Sequence, residues 1–107
     1  MTGTLLPPMT TEGFLVSAAD WNAELAQQIA AGEDLCLTPE HWEVIELLRE
    51  YYATFDSSPA MRALVKFCKI RLGEEKGRSI YLLKLFPGSP AKIASKIAGL
   101  PKPANCL

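Results

Sequence analysis

The chain has 107 residues, of which 49% are hydrophobic and 21% charged, with a formal net charge of −1. That is the composition of one globular domain with a modest core. No apolar run approaches the roughly 20 residues needed to span a bilayer. The N-terminal MTGTLLPPMTTEGF lacks the basic start and long apolar stretch of a secretory signal, so the expected location is the cytoplasm. Cys36, Cys68 and Cys106 are an odd number with no CxxC pair, which argues against a disulfide scaffold or a zinc site. In a reducing cytosol all three are expected as free thiols. Neither a metal nor a cofactor is implied.

The small net charge hides a segregation. Residues 1–56 hold ten acids and one base, Arg49, while residues 57–107 hold ten bases and two acids, Glu74 and Glu75. Two readings follow. A basic face could attract an acidic partner or nucleic acid. Alternatively, the two halves pack together and neutralise each other.

In chain order, residues 1–16 read as short extended pieces. Pro7 and Pro8 forbid a helix there, and Glu12-Gly13 is a turn before Phe14-Leu15-Val16. Ser17 is a cap for a helix to about Ala31, with Asp20 in its first turn and Trp21, Leu25 and Ile29 as its buried stripe beside Ala18. Gly32 ends it. Thr38-Pro39-Glu40 starts a second helix, running to about Phe55. Its apolar face is Trp42, Ile45, Leu48, Tyr52 and Phe55, widened by Val44, Leu47 and Tyr51, which marks it as the central helix. Glu43, Glu46 and Glu50 form its wet side. His41, the only histidine, reads as a surface or packing residue. Cys36, between Leu35 and Leu37, reads as packing.

Ser58-Pro59 repeats the cap-plus-proline signal for a third helix to about Leu72, with Met61, Leu64, Val65 and Cys68 inward and Gly73 as its stop. Cys68 on that face behaves as a small core hydrophobe. The turn Gly73-Glu-Glu-Lys-Gly77 is no phosphate loop: its acids would repel phosphate and no GK[ST] follows. Ser79 caps a short helix, Ile80 to Phe86. After the turn Pro87-Gly88-Ser89-Pro90 comes a last helix, Ala91 to Ala98, with Ile93, Ile97 and Leu100 inward and Lys92, Lys96 and Ser95 outside. Gly99 stops it. The fold class is therefore mainly α (α+β): an orthogonal array of four to five helices with a short N-terminal β-meander or hairpin. One domain divides into strands (1–16), a helical body (17–99) and a mobile arm (100–107).

The arm ends in AGLPKPANCL. Pro101 and Pro103 favour polyproline II, so Leu100 to Cys106 can extend roughly 19 Å. A thiol there is a poor nucleophile unaided: the neighbouring α-carboxylate opposes ionisation and only Lys102 favours it. It therefore needs a partner, or the chain's own basic half, to activate it. That suits a carrier which accepts a group at one active site and surrenders it at another, with sulfur as the natural cargo. The alternative is an accidental cysteine on a frayed terminus.

The segments LTPEHWEVIELLREYY, SPAMRALVK, GEEKG, YLLKLFPGSPAK and KIAGLPKPANCL, in this order, resemble the DsrC/TusE family of sulfur-relay proteins over roughly residues 13–107. The resemblance implies a helical array with a small N-terminal β-meander and a mobile C-terminal arm. It also implies that Cys106 is the penultimate cysteine that accepts sulfur as a persulfide. Members serving sulfite reductase carry a second arm cysteine where this chain has Ser95, so the likeness is to the single-cysteine branch. In that branch sulfur passes from a TusBCD-like complex to the carrier, then to a tRNA 2-thiouridylase that makes wobble 2-thiouridine. The sequence thus points to a sulfurtransferase acting through Cys106. Arg78, Lys84, Lys92, Lys96 and Lys102 are candidates for steering the persulfide or a tRNA complex. The alternatives are a partner of a sulfite reductase, disfavoured by Ser95, and a helix-turn-helix nucleic-acid-binding module at the corner near residues 56–59. The glutamates of the second helix argue against the latter.

Overall fold

The computed structural model describes residues 6–104. A 3-10 turn, Ala18–Asp20, precedes five helices: α1 (Ala23–Gly32), α2 (Pro39–Phe55), α3 (Met61–Leu72), α4 (Ser79–Leu85) and α5 (Pro90–Ile97). The helical body expected from the sequence is present. Of the strands expected over residues 1–16, the described part shows a single antiparallel bridge between Met9 and Leu15, and residues 1–5 lie outside the described residues. Thr10 N–H donates to the Phe14 carbonyl at 2.7 Å, Gly13 N–H to the Thr10 carbonyl at 2.9 Å and Val16 N–H to the Pro8 carbonyl at 3.0 Å. Pro7 and Pro8 have no N–H to extend the ladder, so no strand forms among the described residues.

The first expected helix is split. Ser17 makes no side-chain cap, and Trp21 is extended. Asn22 caps α1 instead, its Oδ1 accepting from Leu25 N–H at 2.7 Å. Trp21 leaves the helix because its indole is used elsewhere, on the end of α5. The buried face of α1 is consequently Leu25, Ala26 and Ala30.

Helix α2 starts and stops where the sequence places it. Thr38 is its cap, and its capping box is completed by His41. His41 is buried, so it belongs to packing. Its Nδ1 accepts from Thr38 N–H at 3.0 Å and its Nε2 donates to the Leu85 carbonyl at 2.7 Å, which ties α2 to α4. The ring meets Phe86 edge-on at 5.0 Å. Phe55, expected inward, is 55% exposed on the final turn. Asp56 then closes the helix in the left-handed region, at φ 54°.

Helix α3 begins two residues later than Ser58-Pro59 suggested. Its N-cap is Ala60, because the Ser58 hydroxyl is engaged with the arm. Arg78, not Ser79, occupies the cap position of α4. Cys68 is fully buried with Val44, Ile45, Leu48, Leu64, Leu82 and Phe86.

The hub of the array is α5, which packs against all four other helices, whereas α2 packs on α3 and α5. The reason lies in side-chain size. Ala91, Ala94, Ser95 and Ala98 are buried along α5, and small residues let neighbouring backbones approach closely on several sides. Ser95, expected on the wet face beside the lysines, is therefore inside. Its Oγ has no hydrogen-bond partner among the described residues.

Helix α5 ends in a Schellman motif. Gly99 N–H donates to the Lys96 carbonyl at 3.1 Å and Leu100 N–H to the Ser95 carbonyl at 2.9 Å, with Gly99 at φ 77°. This pattern returns two orphan carbonyls to the hydrogen-bond ledger and needs a left-handed residue. A Cβ on Gly99 would also sit 2.4 Å from the Trp21 ring. Gly88 has a comparable φ of 96° but nothing within 4 Å. Gly88→Ala should therefore cost only about 1 kcal/mol of strain, and Gly99→Ala about 2 kcal/mol more from overpacking. Urea midpoints of the two variants measure the difference.

Candidate functional site

Beyond α5 the chain does not leave the body at once. Leu100 is fully buried, and Pro103 is buried as well. Four contacts from distant elements hold this root of the arm. The Trp21 indole N–H donates to the Ile97 carbonyl at 2.8 Å. The Arg49 guanidinium donates to the Ala98 carbonyl at 2.7 Å and to the Ala18 carbonyl at 3.3 Å. It also stacks on the Trp21 ring, 4.2 Å from the centroid. The Ser58 hydroxyl donates to the Pro101 carbonyl at 2.6 Å. Finally, Lys102 reaches both Glu12 carboxylate oxygens at 3.1 Å.

Each contact has a physical motive. The last carbonyls of α5 carry the negative end of its dipole, and a guanidinium is the complementary group. Burial holds the Arg49 pKa below its usual value, yet an arginine remains charged, so the contact persists. Arg49 is the one base of the acidic half, and here it is spent on backbone. Trp21 covers Gly99, which explains why the indole leaves α1.

The segregated charges largely neutralise each other in space. Glu12 pairs with Lys92 and Lys102, Glu33 with Lys96, Glu43 with Lys76 and Glu50 with Arg71. All of these join the acidic half to the basic half; among the described residues only Lys69–Glu74 does not. Of the candidate bases, Lys92 and Lys102 meet at Glu12, beside the arm. Lys96 lies on the other side of the N-terminal loop, its ammonium 5.4 Å from the Phe14 ring centroid and 2.9 Å from Glu33. Its side chain is only 16% exposed, which makes it a packing element that braces the loop. Arg78 and Lys84 are exposed on α4, outside this cluster.

Cys106 lies outside the described residues. Cys68 is sealed in the core, and burial pushes its thiol up to about 11. Cys36 corrects the sequence reading: it is exposed. Leu35 and Leu37 are the partly buried pair, and in an extended link alternate residues face opposite ways. Sequence reasoning missed Trp21, Arg49, Ser58 and Glu12 as anchors of the arm. Only Arg49, conspicuous as a lone base among ten acids, offered a signal.

The arm root should respond to acid. The Lys102 hydrogen bond is the main cause that lowers the Glu12 pKa, with Lys92 adding to it. A depressed folded-state pKa means the contact is fully present above the ordinary carboxylate value and is lost as pH falls through the folded value. The Lys102 amide NMR shift should therefore titrate with a midpoint below the ordinary carboxylate range, and Glu12→Gln should abolish that titration. For the thiols, brief alkylation of the native protein at neutral pH should mark Cys36 and leave Cys68 unmodified until urea unfolds the chain.

The described geometry matches known proteins throughout. The family model described as DsrC like protein matches residues 6–107. The sulfurtransferase TusE of Escherichia coli (strain K12) is 53% identical over 91% of this chain and 89% of its own length. That of Buchnera aphidicola subsp. Schizaphis graminum is 53% identical over 91% of this chain and 85% of its own. Among solved structures, Allochromatium vinosum DsrC superposes with a TM-score of 0.84 at 46% identity, covering 92% of this chain and 88% of that one. The oxidized gamma-subunit of the dissimilatory sulfite reductase from Archaeoglobus fulgidus gives 0.81 at 38% identity, covering 94% and 92%. The chain belongs to the DsrC-like protein family and, within it, stands with the TusE sulfurtransferases.

Proposed function

We propose that this sulfurtransferase is a carrier in a relay that thiolates tRNA, with Cys106 as the residue that holds the sulfur. The observation that carries the reading is the division of the three thiols. Cys68 is buried and fully protonated near neutrality. Cys36 is exposed on a link far in sequence from the arm. Cys106 alone follows the anchored root of α5. Ser95, at the position where the sulfite-reductase branch carries its second cysteine, offers a buried hydroxyl and no thiol. An intramolecular disulfide within the arm is thereby removed from the chemistry.

The step is a displacement at sulfur. The Cys106 thiolate attacks the terminal sulfur of a donor persulfide. A new S–S bond forms as the donor's S–S bond breaks, and the electron pair leaves with the donor thiolate. The cysteine emerges as Cys106–S–SH, and no external oxidant or reductant is consumed. In the second half the same terminal sulfur passes to the next acceptor and Cys106 returns as thiolate. The donor is a TusBCD-like complex, and the acceptor is a tRNA 2-thiouridylase with its tRNA, making wobble 2-thiouridine in the cytoplasm. Lys92 and Lys102, gathered at Glu12, supply positive charge at the root of the arm and favour an anionic persulfide arriving there. Arg78 and Lys84 remain candidates for steering the larger tRNA complex.

Charged with a sulfur donor in a single turnover, the protein should gain the mass of one sulfur atom on Cys106. Cys106→Ser should abolish both that adduct and 2-thiouridine in cells while leaving the urea midpoint unchanged. Sulfur found on Cys36 or Cys68 instead would remove the assignment.

A further inference from the structure

The charge balance between the two halves of the chain breaks down on two helices. Of the ten bases in residues 57–107, Arg71, Lys76, Lys92, Lys96 and Lys102 meet acids of the first half. The others, Arg62, Lys66, Lys69, Arg78 and Lys84, stand on α3, on α4 or at the α4 cap, and all are exposed. Lys69 comes within 4.0 Å of Glu74. Arg62, Lys66, Arg78 and Lys84 have no ion pair and no side-chain hydrogen bond among the described residues. Positive charges gathered in this way repel one another, and nothing in the body offsets the repulsion.

These bases share one side of the molecule. Arg62, Lys66 and Lys69 follow one another at helical spacing and so line one face of α3. Helix α4 runs beside it: Met61 of α3 and Ser79 and Leu83 of α4 line one cleft, together with Ser89, Pro90 and Ala91 at the start of α5. Gly77 packs on the backbone of Lys69 with no room for a Cβ. Arg78 adjoins Gly77 in sequence and Lys84 adjoins Leu83, which puts both bases beside the α3–α4 seam. Exposed aliphatic side chains stand among the charges: Ile70 one turn beyond Lys66, and Ile80 and Leu83 on α4. Acids border the face, with Glu74 and Glu75 in the α3–α4 link and Glu40 of α2 within electrostatic reach of Tyr81.

The aliphatics select the occupant. A phosphate backbone gains nothing from Ile70, Ile80 or Leu83, and the Phe67 ring on α3 is already covered by Tyr51 and Arg71. An apolar cleft with a basic rim fits a protein surface that carries an aliphatic side chain among carboxylates. Arg78 and Lys84, candidates above for the tRNA complex, thus stand on a face suited to protein. An enzyme that holds tRNA needs basic surface around its own pocket, and like charges across an interface oppose docking. The donor in the carrier reading holds no RNA. Helix α5 has 8 residues and is about 12 Å long, so a protein seated in the cleft at its start lies about that far from the arm root at its end.

Resting on the carrier reading above, we propose that the α3–α4 face docks the sulfur-donating protein, which seats an aliphatic side chain against Ile80 and Leu83 and sets carboxylates against Arg62, Lys66, Arg78 and Lys84.

The test measures binding of the full-length protein to the donor complex of the same organism, to the thiouridylase with its tRNA, and to bare tRNA transcript. The double variant Lys66→Glu, Lys84→Glu should bind the donor about tenfold more weakly than the parent. Ile80→Gln should bind it about fivefold more weakly, because Ile80 is an apolar contact of the interface. Gln27→Glu, which adds an acid on the exposed side of α1, should match the parent. Ile80 is 59% exposed and both lysines are exposed, so urea midpoints should be parental throughout. Carbodiimide should link Lys66 or Lys84 to a carboxylate of the bound donor. Parental donor affinity in both the double variant and Ile80→Gln, or no donor binding by the parent, would overturn the docking face. So would weakening confined to bare tRNA or to the thiouridylase with its tRNA, which would assign the face to nucleic acid. A dimer of the free protein that both variants dissolve would assign it to a second copy and equally overturn the proposal. The carrier reading is judged separately, by whether inorganic polysulfide, which needs no docking face, places sulfur on Cys106 of the parent.

Discussion

The structure depends on how the C-terminal end of α5 is held. Three backbone carbonyls in succession, from residues 96, 97 and 98, each find a different donor. Gly99 N–H serves Lys96, the Trp21 indole serves Ile97 and the Arg49 guanidinium serves Ala98. Carbonyls at a helix end are orphans unless something satisfies them, and burial without a partner is costly. Here the donors come from the start of the chain, from the middle of α2 and from the helix's own Schellman turn. One short region therefore staples the N-terminal segment, the longest helix and the arm together. Gly99 is the only residue type that meets both demands at its position, a positive φ and an indole ring against its Cα face.

This arrangement connects fold to function. A carrier thiol must be accessible, yet a long floppy tether would lower its effective concentration at any one partner site. The anchored root gives the arm a defined starting point on the body. Glu12 contributes from the N-terminal loop by drawing Lys92 of α5 and Lys102 of the arm to one carboxylate. The loop is thus part of the site, although its sequence shows no recognisable chemistry. Its own support is Lys96, whose ammonium lies against Phe14 and pairs with Glu33. The charge segregation along the chain is in this sense a folding device. Acids of the first half and bases of the second find each other across the interface, and the two pairs on Glu12 stand beside the arm.

The sequence was most informative where local chemistry decides structure. Thr38-Pro39 starts α2, Pro90 opens α5, and Gly73 and Gly99 end their helices, because caps, fixed φ and left-handed conformations are properties of single residues. Cys68 fell inside because its spacing matches the apolar face of α3. Local reasoning failed where a side chain is recruited by something distant in sequence. Ser17 and Ser58 both looked like caps; Asn22 took the first role, and the second serine went to Pro101, 43 residues away. Trp21 matched a helical stripe yet was drawn onto Ile97 and Gly99. Ser95 was read as wet from its lysine neighbours, but α5 is enclosed on more sides than a two-faced helix would be. The chemistry proposed for the arm was read from AGLPKPANCL and its resemblance to a known family. Its anchoring was not, since every anchor except Lys102 lies outside the arm.

The central claim is that the root of the arm, Leu100 to Pro103, is fixed to the body. Backbone ¹⁵N relaxation at Leu100 and Lys102, in the free protein and with its sulfur donor bound, tests this most directly. The account predicts order parameters of about 0.85 at both residues in both states, equal to the helical body. Values below about 0.6 at these positions in either state would show that the arm peels away from Leu100 onward, and would contradict it.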